Sequence, residues 1–142
     1  MLVQLAHAAE GGWRTPPPAG FPEPERHQTT LVRVAHAVAD MDAALRLFAG
    51  VLGGQQADLG SDESARWVDL AWPGPGRVRL LSPASPSSPL ATWLDGRPGR
   101  VHHVAFSGVD GNAVDGAVEL ADGSWEVPPG DVLGTRLLLL HG

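Results

Sequence analysis

The chain has 142 residues, about the length of one domain, and a compact chain of this length buries roughly 68–70% of its unfolded surface. It has no cysteine, which excludes disulfides, thiolate nucleophiles and cysteine-ligated metals. The formal charge of -6 argues against a nucleic-acid partner, and no apolar run reaches the roughly 18 residues of a membrane span. Residues 1–9 lack the pattern of a signal peptide, so we expect one cytoplasmic domain with no membrane partner.

The predicted elements begin with a βαβββ unit. Residues 11–30 are rich in proline and are predicted to form an extended linker. An apolar strand follows at 31–38, and a helix begins after the N-cap Asp40 and ends at Gly53-Gly54. Three further strands are predicted over residues 55–59, 66–72 and 77–82.

The second half repeats this order in a shorter form. Its predicted elements are a helical turn, a strand, a short helix and two strands, over residues 90–94, 101–107, 112–120, 124–127 and 135–140. The chain therefore divides into a first module at 31–83, a connection at 84–100 and a second module at 101–142 that is one strand short. Internal similarity supports a duplication, because Val34–Asp40 aligns with Val104–Asp110.

Five segments carry a resemblance to a known family, and the most specific is Gly99–Phe106, which reads GRVHHVAF. The others are residues 38–45 with 51–54, and residues 66–70, 78–83 and 88–94. Together they resemble the vicinal oxygen chelate superfamily, which includes glyoxalase I, methylmalonyl-CoA epimerase and bleomycin-sequestering proteins. The resemblance implies an α+β fold, in which two βαβββ modules form a curved eight-stranded mixed sheet around a cavity. It also implies a homodimer, because relatives commonly pair.

Members of that superfamily end with a strand that is absent after His141, whereas residues 1–10 resemble that strand. We therefore interpret the chain as circularly permuted, with residues 1–10 as the final strand of the sheet. The linker at 11–30 can span more than about 40 Å, enough to lead to the first strand. The alternative is a chain cut from a tandem array, in which the N-terminus docks on a neighbouring copy.

Superfamily members hold a divalent metal with four side chains, usually His and Glu. The resemblance places Arg33, Arg79, His103 and, from the permuted strand, Gln4 at those positions. A guanidinium stays protonated and has no lone pair to donate, so the two arginines cannot ligate. We therefore expect no cofactor, with a divalent metal as the less favoured alternative. His36 would need a bulge to join them, and the sequence predicts none.

Two arginines in one cavity would instead bind a carboxylate, phosphate or enolate through forked hydrogen bonds. His103 would act as a general acid or base, and Trp67 would line the site together with Gln4. The competing interpretations are that the arginines pair with an acid such as Asp69, and that His103 is a buried remnant of the metal site. His102 is expected to face away from the cavity by strand alternation.

These residues support two functions of different classes. The first is a metal-independent isomerase or lyase type of enzyme that acts on a small anionic carbonyl or acyl compound. The second is a non-catalytic protein that binds or sequesters a small acidic molecule. The sequence holds no phosphate loop, catalytic triad order or dinucleotide fingerprint that would favour another chemistry.

Overall fold

The computed structural model describes residues 20, 29–74, 76–130 and 134–141. Eight strands lie within them: β1 (Thr30–Val38), β2 (Gln55–Ser61), β3 (Ala65–Ala71), β4 (Arg77–Pro83), β5 (Gly99–Ser107), β6 (Val118–Glu119), β7 (Trp125–Val127) and β8 (Arg136–Leu139). The helical elements are α1 (Met41–Leu45), which continues as a π-helix (Arg46–Val51), α2 (Pro89–Leu94) and a 3-10 turn (Gly111–Ala113). None of the described helices is long and apolar enough to cross a membrane.

The eight strands form one open mixed sheet in the order β2-β3-β4-β1-β5-β8-β7-β6. The two modules meet at its centre, where β1 and β5 pair in antiparallel orientation. In each module the last strand lies parallel to the first, β4 beside β1 and β8 beside β5. The predicted α+β fold with an eight-stranded mixed sheet is therefore confirmed.

The source of the eighth strand differs from the expectation. All eight strands lie between Thr30 and Leu139, so the sheet reaches this number without residues 1–10. The second module is not one strand short, because β8 occupies beside β5 the place that β4 occupies beside β1. Residues 1–10, including Gln4, lie outside the described residues, and so does most of the predicted linker.

The helix predicted over 112–120 is wrong. Only the 3-10 turn forms, and Val114 directly after it is already extended. Gly116 follows with a φ of 78°, a left-handed conformation that ends any helix at this point. The strand β6 then occupies residues that the prediction had assigned to the helix.

The predicted helix after Asp40 is confirmed and covers one face of the first module, which we call the outer face. The Asp40 side chain accepts a hydrogen bond from the backbone N–H of Ala43 and so caps α1. Phe48 packs with Leu70 and Leu80, both of them fully buried. This cluster anchors the helix to β3 and β4.

The opposite, inner face of the sheet packs against α2. Leu90 and Leu94 of this helix contact a cluster that includes Ala35, Ala37 and Leu81. The two alanines are completely buried at the centre of the sheet. Because these side chains are small, they project little from the middle of the inner face, and this leaves room for a cavity beside α2.

Candidate functional site

A cavity of about 470 Å³ opens on the inner face next to α2. Its walls include Trp67, Arg79, Trp93, His102, His103 and Arg136. Three of the residues predicted from the sequence, Trp67, Arg79 and His103, therefore line one space. Arg33 on β1 is not among the lining residues, but it acts electrostatically on both His103 and Arg79 and so lies close to the same site.

Strand pairing explains why these side chains meet. Directly paired residues on neighbouring strands share a face of the sheet. Ala35 on β1 pairs with Arg79 on one side and with His103 on the other. Arg79 pairs further with Asp69, and His103 with Arg136. One row of five side chains thus crosses the inner face, and Arg33 lies on the same face two residues before Ala35. We call these six residues the floor; Arg79, His103 and Arg136 are the ones that line the cavity.

The outward orientation predicted for His102 is wrong because β5 contains a bulge. The pairing of β1 with β5 passes from Ala35 opposite His103 to His36 opposite Val101, which leaves His102 as an extra residue. The bulge interrupts strand alternation, and His102 joins His103 in the cavity wall. Their Nδ1 atoms lie 2.9 Å apart in a hydrogen bond.

His36 has the orientation that the sequence predicts for it. It is buried on the outer face, where its ring meets the ring of Phe48 edge-on with 6.1 Å between centroids. It takes no part in the cavity.

Two arginines of the site are held by carboxylates. Arg79 donates from Nε and Nη2 to the two carboxylate oxygens of Asp69, at 2.7 and 2.6 Å. Arg136 donates from Nη2 alone to one carboxylate oxygen of Glu126, and its buried Nε has no partner among the described residues. The interpretation that Arg79 pairs with Asp69 is therefore confirmed.

Arg136 and Glu126 were not predicted, although the sequence contains a signal for them. The triplet Arg-Leu-Leu occurs twice, at 79–81 and at 136–138. In each case the arginine lies ten residues after its carboxylate partner. Aligning the two triplets would have identified Arg136 as the counterpart of Arg79.

Arg33 differs from the other two arginines in having no carboxylate partner among the described residues. Its Nε is buried without a hydrogen-bond partner there, and the same holds for Nε2 of His103 and Nε of Arg136. Burial lowers the pKa of Arg33, the nearby cation Arg79 lowers it further, and Asp69 opposes both effects. Arg33 is thus the cation of the site that is not held by a carboxylate in the described part of the chain.

Both histidines of the bulge are uncharged at neutral pH. Burial, followed by the influence of His102 and the three arginines, lowers the pKa of His103 to about 3. Burial and then the charge of Arg136 lower the pKa of His102 to about 4. One Nδ1 must therefore donate its proton to the other, which fixes the tautomers as a pair. If His103 donates through Nδ1, its own Nε2 has a free lone pair and can accept a proton. If His102 donates, Nδ1 of His103 is the acceptor, and Nε2 of His103 carries the hydrogen.

The two tryptophans form apolar walls with polar neighbours. Trp67 lies against Gly60, where an added Cβ would come within 2.4 Å of the indole ring. The guanidinium carbon of Arg79 is 5.4 Å from the centroid of that ring. Trp93 lies between the guanidinium of Arg100, at 4.0 Å, and the ring of His102, at 4.7 Å. These contacts fix the orientation of both rings.

The divalent metal that the resemblance implies does not fit these residues. The resemblance assigns Arg33 and Arg79 to two of the ligand positions, and both are cations without a free lone pair. The nearby carboxylates of Asp69 and Glu126 are already engaged by arginines. In the part of the chain that the structure describes, no three His, Asp or Glu side chains gather closely enough to hold a metal ion.

A larger groove of about 750 Å³ lies near the start of α1 and is lined by Asp40, Asp42 and Arg66. It shares Trp67 with the first cavity, but it contains none of Arg33, Arg79 and His103. It therefore brings no pair of predicted site residues together.

The order and pairing of the strands are those of a glyoxalase-type fold. Residues 30–135 match the family model described as the Glyoxalase/Bleomycin resistance protein/Dioxygenase superfamily, and the chain belongs to this superfamily. The resemblance found in the sequence is therefore confirmed. A comparison with curated proteins found no match.

Solved structures with the same fold include epimerases. Methylmalonyl-CoA epimerase from Mycobacterium tuberculosis is 24% identical with a TM-score of 0.63, over 78% of this chain and 86% of that one. The Streptomyces coelicolor epimerase in complex with 2-nitronate-propionyl-CoA is 20% identical with a TM-score of 0.62, over 79% and 96%. A hypothetical protein from Bacillus halodurans is 20% identical with a TM-score of 0.66, over 81% and 95%. At these identities the likeness shows the fold.

Proposed function

We propose that this protein is a metal-independent enzyme of the isomerase or lyase type that acts on a small anionic carbonyl or acyl compound. The observation that carries the proposal is the combination of Arg33 and His103 in one site. Each has a buried nitrogen without a partner among the described residues, and one is a cation whereas the other is a neutral imidazole. Buried polar atoms are normally paired, so these two are available for a ligand.

The chemistry that fits this pair is proton transfer next to a carbonyl. His103 Nε2 takes a proton from the carbon beside the carbonyl group, and the electrons of the broken C–H bond move into the carbonyl. The resulting enolate oxygen carries negative charge, which Arg33 stabilises through a charge-assisted hydrogen bond. A proton delivered from water to the opposite face of the same carbon, with the electrons returning from the enolate oxygen, restores the carbonyl group and completes an epimerisation, and His103 releases its proton to water.

The ligand itself adjusts the basicity of His103. In the empty cavity, burial and the three arginines hold the pKa of His103 at about 3, too low for an efficient base. An anionic substrate brings an opposing charge and raises this pKa toward the working pH. Proton transfer is therefore expected only when an anion occupies the site.

The related structures support an acyl compound as substrate. Two of the solved relatives are named methylmalonyl-CoA epimerases, and one of them holds a propionyl-CoA derivative. Epimerisation is an isomerase reaction, so the family relationship and the residues of the cavity favour the same class. This chain departs from the superfamily pattern at Arg33 and Arg79, which the resemblance assigns to positions where other members have metal ligands.

A non-catalytic function as a binding or sequestration protein is the second candidate. The low pKa of His103 favours it, because an imidazole in this environment resists protonation. In that case Arg33 and His103 would bind an acidic small molecule without changing it.

Solvent deuterium exchange distinguishes the two candidates. The protein is incubated in D₂O with methylmalonyl-CoA and with a set of 2-keto acids, and exchange at the carbon beside the carbonyl is followed by NMR. We expect exchange with the wild type and at least a hundredfold loss in both His103→Ala and Arg33→Gln. Arg46→Gln is the matched control, because Arg46 is exposed on the helix of the outer face. Binding without exchange would reject the enzyme and favour sequestration.

Metal content tests the metal-free part of the proposal. The purified protein is expected to hold no stoichiometric Ni, Zn, Fe, Mn or Co by elemental analysis. One bound ion per chain that chelation removes together with activity would overturn the proposal.

The proposal retains the homodimer and the cytoplasmic location expected from the sequence, together with a role for residues 1–10 and Gln4. Light scattering tests the dimer. Gln4→Ala and deletion of residues 1–10 test the N-terminal segment, because both variants would remove the polar contact that the proposal assigns to Gln4. Ligand binding that is unchanged in both variants would reject this role.

A further inference from the structure

The charges on the floor of the cavity nearly cancel. Arg79 is neutralised by Asp69, and Arg136 by Glu126, in two close ion pairs. Arg33 remains as one positive charge that no carboxylate of the described residues holds. The two histidines add none, because both pKa values lie well below neutrality. The floor therefore offers a single positive charge to a ligand.

The rim of the cavity does not change this balance. Asp62 lines the cavity, but it is exposed and accepts hydrogen bonds from the backbone of its own loop, at Ser64 and Ala65. Arg100 lies over the ring of Trp93 and does not line the cavity. These two charges have opposite sign, so the excess positive charge stays at Arg33.

The walls above the floor are apolar. Trp67 and Trp93 contribute their ring surfaces, and Leu81 and Leu90 pack between α2 and the sheet. A cavity of about 470 Å³ is large enough for a small ring compound and lies within the usual range of ligand sites. Aromatic walls favour flat, apolar groups, because ring contacts add to the gain from burying apolar area.

We propose that the ligand of this site is an amphipathic monoanion, with one carboxylate or enolate at Arg33 and His103 and a planar apolar body against Trp67 and Trp93. This inference rests on the proposed function only for the location of the site, since it concerns binding and not turnover. A dianion such as a phosphate would bring one negative charge more than the floor can neutralise. A neutral analogue would leave Arg33 buried without a counter-charge.

Four probes test the charge and the apolar body separately. Phenylacetate carries both features, acetate lacks the ring, phenylacetamide lacks the charge, and phenyl phosphate is a dianion at pH 8. Isothermal titration calorimetry at pH 8 and low salt should show phenylacetate binding about tenfold or more tightly than acetate and phenylacetamide. Phenyl phosphate should bind no more tightly than phenylacetate.

Variants assign the two features to their residues. Arg33→Gln should weaken phenylacetate binding by about 10- to 100-fold, because a charge-assisted hydrogen bond is lost. Trp93→Leu should weaken phenylacetate and leave acetate unchanged, and Trp93→Phe should restore most of the loss. Arg46→Gln serves as the control for loss of an arginine on the opposite face. Circular dichroism of each variant separates unfolding from loss of binding.

Each outcome either supports or overturns the inference. Equal binding of acetate and phenylacetate would reject the apolar body, and tenfold tighter binding of phenyl phosphate would reject the monoanion. Failure of all four probes to bind at millimolar concentration would reject both. Tight binding of phenylacetate in a protein that shows no deuterium exchange would retain this inference while rejecting the enzyme.

Discussion

The two modules of the sheet differ on their outer face. In the first module, α1 and its π-helical continuation bury Leu70 and Leu80 completely. In the described part of the second module, the three-residue turn at Gly111–Ala113 takes this place, and Phe106 and Leu137 remain half-buried. The apolar contacts of the outer face are therefore concentrated in the first module.

On the inner face the two modules are alike. Each has a carboxylate on its third strand and an arginine on its fourth strand, ten residues apart and joined in an ion pair. The pairs flank the centre of the sheet, where β1 provides Arg33 and β5 provides His103. The second module thus has the same arrangement of charged residues, although its described part lacks a helix like the one that stabilises the first. The same strands thus pack the apolar cluster against the helix on their outer face and carry the residues of the site on their inner face.

Leucine truncation on the outer face should show the largest difference between the modules. Leu80→Ala removes a fully buried side chain from the cluster around Phe48, and we expect a loss of about 3 kcal/mol in the free energy of unfolding. Leu137→Ala, the matched change in the second module, should cost about 1 kcal/mol because the side chain is only half-buried. Urea unfolding measures both, and equal losses would contradict the uneven distribution of the core.

The turn that replaces the second helix should tolerate no added carbon. A Cβ at Gly111 would come within 2.0 Å of the ring of Trp125, whereas one at Gly130 would meet nothing within 4 Å. We expect Gly111→Ala to lower the free energy of unfolding by about 2 kcal/mol, because Trp125 and the turn must move apart. Gly130→Ala is the control for the loss of a glycine. An unchanged free energy of unfolding in Gly111→Ala would show that the turn does not pack closely against Trp125.

Acid should destabilise the protein through the buried His103 of the second module. The pKa of His103 is about 3 in the folded protein and about 6.5 in the unfolded chain, so the unfolded state binds the proton more readily between these values. Stability therefore falls as the pH drops below about 6.5, and this histidine accounts for about 2 kcal/mol at pH 5.

The substitution His103→Asn isolates this contribution. It should reduce the slope of the unfolding free energy against pH by up to one proton between pH 6.5 and 4.5, about 1.4 kcal/mol per pH unit. His141→Asn, which removes an exposed histidine, is the comparison. An unchanged slope in His103→Asn would show that burial does not suppress the charge of this imidazole.

The sequence predicts the first module more accurately than the second for a physical reason. The cap at Asp40 and the apolar spacing through Phe48 are local signals, and they specify a helix wherever an apolar face can receive it. The orientation of Arg79 also follows from simple alternation along β4. In the second module, Asp115-Gly116 interrupts the apolar pattern on which the helix prediction depended.

The site residues that sequence reasoning missed depend on pairing between strands. The bulge at His102 arises from the register of β5 against β1, which alternation within β5 cannot reveal. Arg136 reaches the cavity because β8 lies beside β5, a consequence of topology. Its only local signal is the repeated Arg-Leu-Leu triplet. Gln4 stays a prediction, since it lies outside the described residues.

The two ion pairs should respond alike to neutralisation, and this is the smallest effect that we predict. Asp69→Asn and Glu126→Gln each remove one carboxylate from a partly buried pair and should each cost about 1 kcal/mol of stability. Each variant also releases an arginine, so the floor gains a second positive charge. Affinity for phenylacetate should then rise a few-fold, and phenyl phosphate should gain more than phenylacetate. If only one variant changed the preference between the two probes, the pairs would not be equivalent, and the cavity would depend on one module more than on the other.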